Sequence, residues 1–448
     1  MNTTTKPTNV RWAVFAVACG ASWLLYLHRY AFALMKPYLA KEWGLDKTAL
    51  GQLDSVFDAA YALAQVPVGM VADVMGVRLV LTAMIVVWST GLGLHAWAGS
   101  MAQMTVARVV LGIGQSATYA ALTRMSRQWY PASIRTTLQG LANVLAGRLG
   151  GLSANLIFAS LLIGVFHVDW RVATSIFAAL GIVQAMVTYL IVRDSPREHP
   201  RVNAAELELL TSSPVATPAP TSPPTTPSQH RMTFAQTLRG LDRRGLVNLL
   251  ALNLQTLLST LADSLYSRWI PLFLWETYRL ESAQMGVFAS LPLLGGAAGG
   301  VLGGLLNDQC LRITGNRRWS RSGVAIAGKS IAAALLFAAF IWYDRPYVFC
   351  TVLFFVKFFG DWSLTTSIGV TSDIGGRATA SVFAFNNALA AGGLMIASVW
   401  FGWVAQHWGW PSVFVIVAVM YALCAVSWLA IDCTVPLVRD TNGAARRR

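Results

Sequence analysis

Charged side chains are scarce in this chain: Asp, Glu, Lys and Arg together make up 12% of its 448 residues, while hydrophobic residues make up 55%. A typical soluble domain has about 25% charged residues. The composition therefore excludes a water-soluble enzyme of this length. Mean hydropathy is +0.53, and apolar runs recur along nearly the whole sequence. These features predict a protein that crosses the lipid bilayer several times.

Cysteines and catalytic motifs are also few. Five cysteines lie far apart, without the paired spacing of a zinc site or a redox dithiol. We find no Walker loop, no HExxH and no paired Ser and His at meaningful positions. The sequence thus predicts no enzyme, no metal and no cofactor, and it predicts that energy comes from a gradient. The net charge of +14 is spread over the short gaps between apolar runs, so we expect no nucleic-acid partner.

Twelve apolar runs are long enough to cross a bilayer, whose hydrocarbon core takes about 20 residues of helix. They span residues 11–38, 50–73, 78–99, 102–125, 136–165, 169–192, 246–275, 284–308, 322–342, 345–371, 377–404 and 411–432. Each run is about twice as long as a barrel strand. The predicted fold is an all-α membrane protein with twelve transmembrane helices.

Basic residues predict which side of the membrane each loop faces, because loops rich in Lys and Arg stay in the cytoplasm. One side collects Arg78, Arg124, Arg127, Arg135, Arg312, Arg317, Arg318, Arg321, Arg377, Arg446, Arg447 and Arg448. The other side has sparse and mixed charges. Both termini are therefore expected in the cytoplasm, in a bacterial-type inner membrane.

One long polar stretch separates the sixth and seventh runs. Its segment TSSPVATPAPTSPPTTPSQH is too rich in Pro, Ser and Thr to bury a core. We therefore predict two pseudo-symmetric six-helix bundles joined by a linker. The predicted domains are an N-terminal bundle at 1–192, a partly disordered cytoplasmic linker at 193–245, a C-terminal bundle at 246–434 and a basic cytoplasmic tail at 435–448.

A short motif is repeated in the two halves. GMVADVMGVR follows the second run, and GGLLNDQC stands at the equivalent point of the second half. A glycine lets two helices approach, and a carboxylate four residues later can bind basic groups or a helix N-terminus. The residues of this predicted gate are Gly69, Asp73, Arg78, Gly304 and Asp308.

The chain resembles the major facilitator superfamily over essentially its whole length. The resemblance rests on the repeated Gly-x-x-x-Asp joint, on Arg108-x-x-x-Gly112-x-Gly114 in the fourth run, and on twelve spans divided by a central loop. It implies a monomeric secondary transporter that works by alternating access of two bundles.

A closer resemblance is to the anion:cation symporters, and a more distant one to the organophosphate:phosphate antiporters. It rests on YLHRYAFALMKPYL in the first run, SVFDAAYALAQVPVGMVAD in the second, SRWIPLFL in the seventh and TSDIGGR after the tenth. The resemblance implies that Arg29 binds an anion. Many such symporters have an Asp before this arginine and a Glu after Gly-x-Gly, where this chain has His28 and Gln115. The antiporters have a second arginine near the position of Asp263.

Charged residues inside the predicted spans are candidates for function, because a charge at the bilayer centre costs about 2.5 to 3.5 kcal/mol on insertion scales. Arg29 and Asp58 fall at the same depth, so we expect them to pair. The candidate substrate-binding residues are Arg29, Tyr30, Tyr61, Arg148, Tyr266 and Lys357. The candidate proton-coupling residues are Asp58, Asp263, Asp54 and His28.

Structural roles stay open for several of these residues. Arg148 lies among glycines and could be a buried structural cation. Lys357 and Asp361 are four residues apart and could form a mutual ion pair. His28 could be a packing residue.

The sequence thus predicts import of a small organic anion, such as a sugar acid or an aromatic acid, by symport with a proton or another cation. One alternative is a zwitterionic or amino-acid-like substrate or a metal chelate, recognised by the acidic and basic residues together. Another is a substrate sensor with a transporter fold.

Overall fold

The computed structural model describes residues 6–131, 133–211, 243–375, 379–435 and 437. Within these ranges the secondary structure is helical, without a β-strand. The helices before the central gap are α1 (Val10–Trp43), α2 (Lys47–Met75), α3 (Val77–Trp97), α4 (Met101–Gln115), α5 (Thr118–Trp129), α6 (Arg135–Gly140), α7 (Ala146–Ala154), α8 (Trp170–Ile191) and α9 (Ala204–Thr211). The α-helices after the gap are α10 (Arg243–Arg268), α11 (Ile270–Tyr278), α12 (Ser282–Thr314), α13 (Arg317–Ala338), α14 (Pro346–Gly360), α15 (Trp362–Gly375), α16 (Thr379–His407) and α17 (Gly409–Ala430).

Eleven helices in the described ranges are long and apolar enough to cross a membrane. The predicted all-α membrane fold is confirmed. The fourth predicted run is not among these eleven, because it divides at Ser116 and Ala117 into α4, of 15 residues, and α5, of 12 residues. At this break Ser116 Oγ donates to the Ile113 carbonyl over 2.8 Å, and Thr118 Oγ1 donates to the Gln115 carbonyl over 3.1 Å. Hydroxyl groups that bind nearby carbonyls in this way favour bends in helices.

The glycines of the fourth run allow α4 to pack closely against its neighbours. A Cβ atom at Gly114 would lie 2.5 Å from the backbone nitrogen of Trp88 on α3. At Gly112 it would lie 2.7 Å from the Phe57 carbonyl oxygen on α2. Any larger side chain would push these helices apart, so the Gly-x-Gly spacing fixes where α4 can lie.

The fifth predicted run is a composite of α6, α7 and two π-helical segments, Leu141–Leu145 and Asn155–Val165. Its glycines also permit a close helix contact. A Cβ atom at Gly150 would lie 2.0 Å from the Trp23 carbonyl oxygen on α1. The glycines around Arg148 thus allow close packing between α1 and α7.

The chain divides into two compact units: Met1–Thr225 with Leu274–Val287, and Thr226–Phe273 with Phe288–Arg448. Most of the predicted linker, residues 212–242, and most of the predicted basic tail lie outside the described residues. The first part of the predicted linker is folded. Glu206 on α9 is fully buried, and its carboxylate accepts hydrogen bonds from the backbone of Val10 and Arg11 at the start of α1. It also forms a 3.1 Å ion pair with Arg11.

Candidate functional site

Arg29 on α1 lies among aromatic rings and a neutral amide. Its Nε–H donates to Gln115 Oε1 over 3.1 Å. The rings of Tyr26, Phe57 and Tyr61 have their centroids 5.0 to 5.4 Å from the guanidinium carbon. Among the residues that the structure describes, no carboxylate forms an ion pair with Arg29. The arginine therefore keeps a positive charge that protein groups orient without neutralising.

Gln115 is held in place by the same helix that carries Arg29. Its Nε2 donates to the Leu25 carbonyl on α1 over 3.1 Å, which leaves Oε1 facing the arginine. This residue stands where the symporters that the chain resembles have a glutamate. Because an amide replaces the carboxylate, the arginine is positioned by a hydrogen bond instead of an ion pair.

The predicted pairing of Arg29 with Asp58 is wrong in this structure. The guanidinium is faced by Phe57 and Tyr61, which lie on the same helix as Asp58. Its Nε–H donates to Gln115. Asp58 itself is buried, with 9% of its surface exposed. Equal depth in the membrane was a poor guide, because the rotation of α2 decides which side chain faces α1.

Three other predicted binding residues belong to the first unit. The Tyr30 ring is in contact with the Gly151 position on α7, where a Cβ atom would lie 3.1 Å from it. Arg148 lies three residues earlier on α7 and is half-buried. Tyr30 and Tyr61 are also half-buried. The predicted binding residues of the first unit thus lie on α1, α2 and α7.

Asp54 is bound by two cations. Its Oδ2 accepts from Lys36 Nζ over 2.6 Å, and its Oδ1 accepts from Arg108 Nη2 over 2.8 Å. All three side chains are nearly inaccessible to solvent. Two positive charges stabilise the ionised carboxylate, so the geometry favours a structural role over the predicted proton coupling. Arg108, the arginine of the sequence motif in the fourth run, is therefore one of the two partners of Asp54.

His28 packs in the core of the first unit. It is fully buried, its ring stacks on Phe177, and its Nε2 lies 2.9 Å from the Phe177 carbonyl oxygen. The ring nitrogen donates to that oxygen. These contacts suit a packing residue better than a proton carrier.

The second unit contains a cluster of one lysine and two aspartates. Lys357 Nζ donates to Asp361 Oδ1 over 2.7 Å, and it also pairs with Asp263. The predicted pairing of Lys357 and Asp361 is confirmed. The side chains of Lys357 and Asp361 are each 6% exposed, whereas that of Asp263 is 44% exposed. Tyr266 is buried, and its ring centroid lies 5.4 Å from Lys357 Nζ.

A second buried lysine of the second unit was missed by the sequence analysis. Lys329 on α13 is 2% exposed. It was detectable, because it is the only charged residue in the predicted ninth run, 322–342. Charged residues in such runs are functional candidates by default.

The predicted gate residues lie near helix ends. Gly76 has a φ of 84° and a ψ of 157° at the start of α3. Just after it, the backbone N–H of Arg78 donates to Asp194 Oδ1 over 2.9 Å, and its side chain donates to the Tyr189 carbonyl over 3.0 Å. The sequence analysis did not foresee Asp194.

Within the described residues, the two glycines of the predicted gate differ in their surroundings. A Cβ atom at Gly69 would meet nothing within 4 Å among the described residues. Asp308 is exposed, and Gly304 lies beside Thr365. The side chain of Asp73 lies outside the described part of the chain. The gating role of these residues stays a prediction.

Metal ligands do not come together in the described ranges, where no group of three or more His, Cys, Asp or Glu residues could hold a metal ion.

Comparison with known proteins identifies the family. The model of the Major Facilitator Superfamily matches residues 18–240 and 252–446. The chain belongs to this superfamily, and it is a membrane transporter with multiple spans and not an enzyme.

Two relatives align over most of the chain. The probable sulfoacetate transporter SauU of Cupriavidus necator is 28% identical over 408 residues, which cover 89% of this chain and 88% of the relative. The hexuronate transporter of Escherichia coli strain K12 is 27% identical over 446 residues, which cover 95% of each chain. Among solved structures, that of the D-xylose-proton symporter has a TM-score of 0.70 at 16% identity and covers 94% of this chain and 98% of that one. This last likeness shows the fold alone.

Proposed function

We propose that this chain is a secondary transporter that moves a small organic anion, a carboxylate such as a sugar acid, across the inner membrane by alternating access. The observation that carries the proposal is Arg29, a half-buried arginine in a membrane helix that forms no ion pair with a described carboxylate. A planar guanidinium binds a carboxylate through two parallel hydrogen bonds. An anionic substrate would supply the missing negative charge.

The surroundings of Arg29 suit such a ligand. Gln115 accepts a hydrogen bond from its Nε–H alone, and the buried Nη2 has no hydrogen-bond partner among the described residues. The aromatic rings of Tyr26, Phe57 and Tyr61 limit the rotation of the guanidinium. An arginine that is already oriented loses less entropy when it binds a ligand.

The relatives support an anionic substrate. One is named for sulfoacetate and the other for hexuronate, and both substrates carry a carboxylate. Engagement of Asp54 by Lys36 and Arg108 also weighs against a zwitterionic substrate, since that carboxylate is already bound.

Coupling to a proton is part of the proposal, with Asp263 as the carrier. Lys357 has two carboxylate partners, so the three side chains carry one surplus negative charge. Asp361 is buried and neutralises the lysine, whereas Asp263 is 44% exposed and can exchange a proton with water. Protonation of Asp263 would leave the cluster neutral in a membrane of low dielectric constant. Import is a further part of the proposal. Cytoplasmic termini are another, supported by the distribution of arginines between the loops.

A thermal-shift measurement tests the proposal on the purified full-length chain. D-galacturonate, a hexuronate, is compared with D-galactose, which has a neutral group in place of the carboxylate. A ligand at 100 times its dissociation constant stabilises the folded state by about 2.7 kcal/mol. We expect the melting temperature to rise with the acid and not with the sugar. Equal shifts with both, or a shift with the neutral sugar alone, would contradict anion recognition.

A further inference from the structure

Lys329 is a buried charge in the middle of a membrane helix. It lies twelve residues after Arg317, the first residue of α13, so it is about 18 Å along the helix at 1.5 Å per residue. Only 2% of its surface is exposed. An ammonium group at such a depth needs an anionic or strongly polar partner.

The contacts of Lys329 within the described residues are with neutral groups. Its Nζ donates to Ser259 Oγ on α10 over 2.6 Å. It also lies 4.9 Å from the ring centroid of Tyr421 on α17. No described carboxylate forms an ion pair with it. A hydroxyl and a ring face orient the charge, and neither neutralises it.

Further hydrogen-bonding groups lie one helical turn from the serine that Lys329 contacts. Thr256 precedes Ser259 by three residues, so the two are neighbours on the surface of α10. Thr256 Oγ1 accepts from Asn386 Nδ2 on α16 over 3.0 Å. The Oδ1 atom of Asn386 is buried and has no hydrogen-bond partner in the described part of the chain. An acceptor oxygen of this kind is costly to bury unless a donor reaches it.

We propose that Lys329 and Ser259 bind the anionic group of a hydroxylated organic acid in the second unit, and that Asn386 Oδ1 accepts a hydrogen bond from a hydroxyl of the same acid. The lysine supplies the charge and the serine a second polar contact to the anion. The asparagine adds a preference for acids with hydroxyl groups, such as sugar acids. This inference rests on the proposed function, because it names the substrate class of an anion transporter.

A structural role is the main alternative. Asp263 lies four residues after Ser259, hence one turn further along α10. Lys329 could stabilise that carboxylate at longer range while Lys357 holds it directly. In that case the loss of Lys329 would alter proton coupling and leave the affinity for acids unchanged.

Calorimetric titration of the purified full-length chain separates these roles. D-galacturonate carries a carboxylate and several hydroxyls, whereas sulfoacetate carries two anionic groups and no hydroxyl. The variants are Lys329→Met, Lys329→Arg, Ser259→Ala and Asn386→Ala. Ser330→Ala and Asn387→Ala are matched controls, because both residues are exposed and adjoin the residues under test.

The expected result differs between the two acids. Lys329→Met weakens the binding of both by about tenfold or more, since a hydrogen bond to a charged group is lost. Lys329→Arg keeps the charge, so it loses less affinity. Ser259→Ala keeps the lysine and also weakens the binding of both acids. Asn386→Ala weakens the binding of D-galacturonate and leaves the binding of sulfoacetate unchanged. The two controls bind as the wild type does.

Four outcomes would overturn the inference. One is wild-type affinity for both acids in Lys329→Met or, if that variant does not fold, in Ser259→Ala and Lys329→Arg. Another is an equal loss of affinity for both acids in Asn386→Ala, which would indicate a packing role for the asparagine. Binding of neither acid by the wild type would contradict the proposed function and this inference together, whereas binding that depends on Arg29 alone would contradict only the inference.

Discussion

Arg29 donates its Nε–H to Gln115 Oε1 over 3.1 Å, so a neutral amide holds the arginine that we assign to the substrate. Symporters that this chain resembles have a glutamate at the place of Gln115. In those proteins a carboxylate beside the arginine would compete with an anionic ligand. Here the arginine stays available to the ligand, and proton coupling has to depend on another residue.

Gln115→Glu should make substrate binding weaker and dependent on pH. The introduced carboxylate would pair with Arg29 and compete with the substrate, which we expect to lower the affinity at neutral pH by about tenfold. Acidification would protonate the glutamate and release the arginine, so the affinity of the variant should rise as the pH falls. Calorimetric titration with D-galacturonate at several pH values measures this. Gln103→Glu, at the exposed start of α4, is the control, and an affinity equal to that of the wild type at every pH would contradict the prediction.

Asp263→Asn should uncouple transport from protons. The asparagine resembles the protonated aspartate, so binding and exchange of substrate should continue while accumulation driven by a pH gradient is lost. The sequence pointed first to Asp58, but Arg29 donates to Gln115 and forms no ion pair with a described carboxylate, so Asp58→Asn serves as the comparison. Uptake of labelled substrate into proteoliposomes with and without a pH gradient measures coupling. Loss of accumulation in Asp58→Asn with normal accumulation in Asp263→Asn would reverse the assignment.

Asp54→Asn should destabilise the first unit strongly. The substitution removes the negative charge between two buried cations, Lys36 and Arg108. Breaking a buried ion pair in this way typically costs about 3 to 5 kcal/mol. Asp46→Asn is the matched control: Asp46 caps the N-terminus of α2, with Oδ1 accepting from Ala49 N–H over 2.7 Å, and Asn is an equally good cap. Melting temperatures measured by nanoscale fluorimetry should fall for Asp54→Asn only; similar values for both variants would refute a structural role for Asp54.

Gly76→Ala should also destabilise the chain, through its backbone. Gly76 has a φ of 84° and a ψ of 157°, a conformation that is almost confined to glycine and costs other residues about 1 to 3 kcal/mol. A Cβ atom would also lie 2.6 Å from the Asp194 carboxylate, which accepts the Arg78 N–H. Gly323→Ala is the control, because a Cβ atom there meets nothing within 4 Å among described residues. A melting temperature of Gly76→Ala as high as that of the control would show that the turn tolerates a side chain.

The helices were largely predictable from the sequence, because long apolar runs between charged loops leave few alternatives in a membrane. The break at Ser116 and Ala117 was not predicted. Hydropathy does not distinguish a straight helix from two shorter ones, and the hydroxyls of Ser116 and Thr118 bend the chain without making it polar. The burial of Glu206 was also missed, since it lies beside a Pro-rich stretch that suggested a linker.

The candidate site was predictable in composition and not in its contacts. Arg29, Asp263 and Lys357 stood out as charges within apolar runs, and the pairing of Lys357 with Asp361 followed from helical spacing. Which side chain meets Arg29 depends on how α2 and α4 are rotated, and spacing along one helix cannot supply this. Lys329 was overlooked because no family motif covers it, although it is the single charge of its run.

Substrate counterflow in proteoliposomes tests the central claim most directly, because it measures recognition and exchange without an imposed ion gradient. The experiment compares wild-type protein with Arg29→Lys and Arg29→Ala, using labelled D-galacturonate. The control is Arg171→Lys, which changes a half-buried arginine that pairs with Glu42. We predict exchange by the wild type and the control, a loss of about tenfold or more in Arg29→Ala, and impaired exchange in Arg29→Lys, since an ammonium group cannot bind a carboxylate through a planar pair of hydrogen bonds. Exchange at the wild-type rate and affinity in both Arg29 variants would contradict the account.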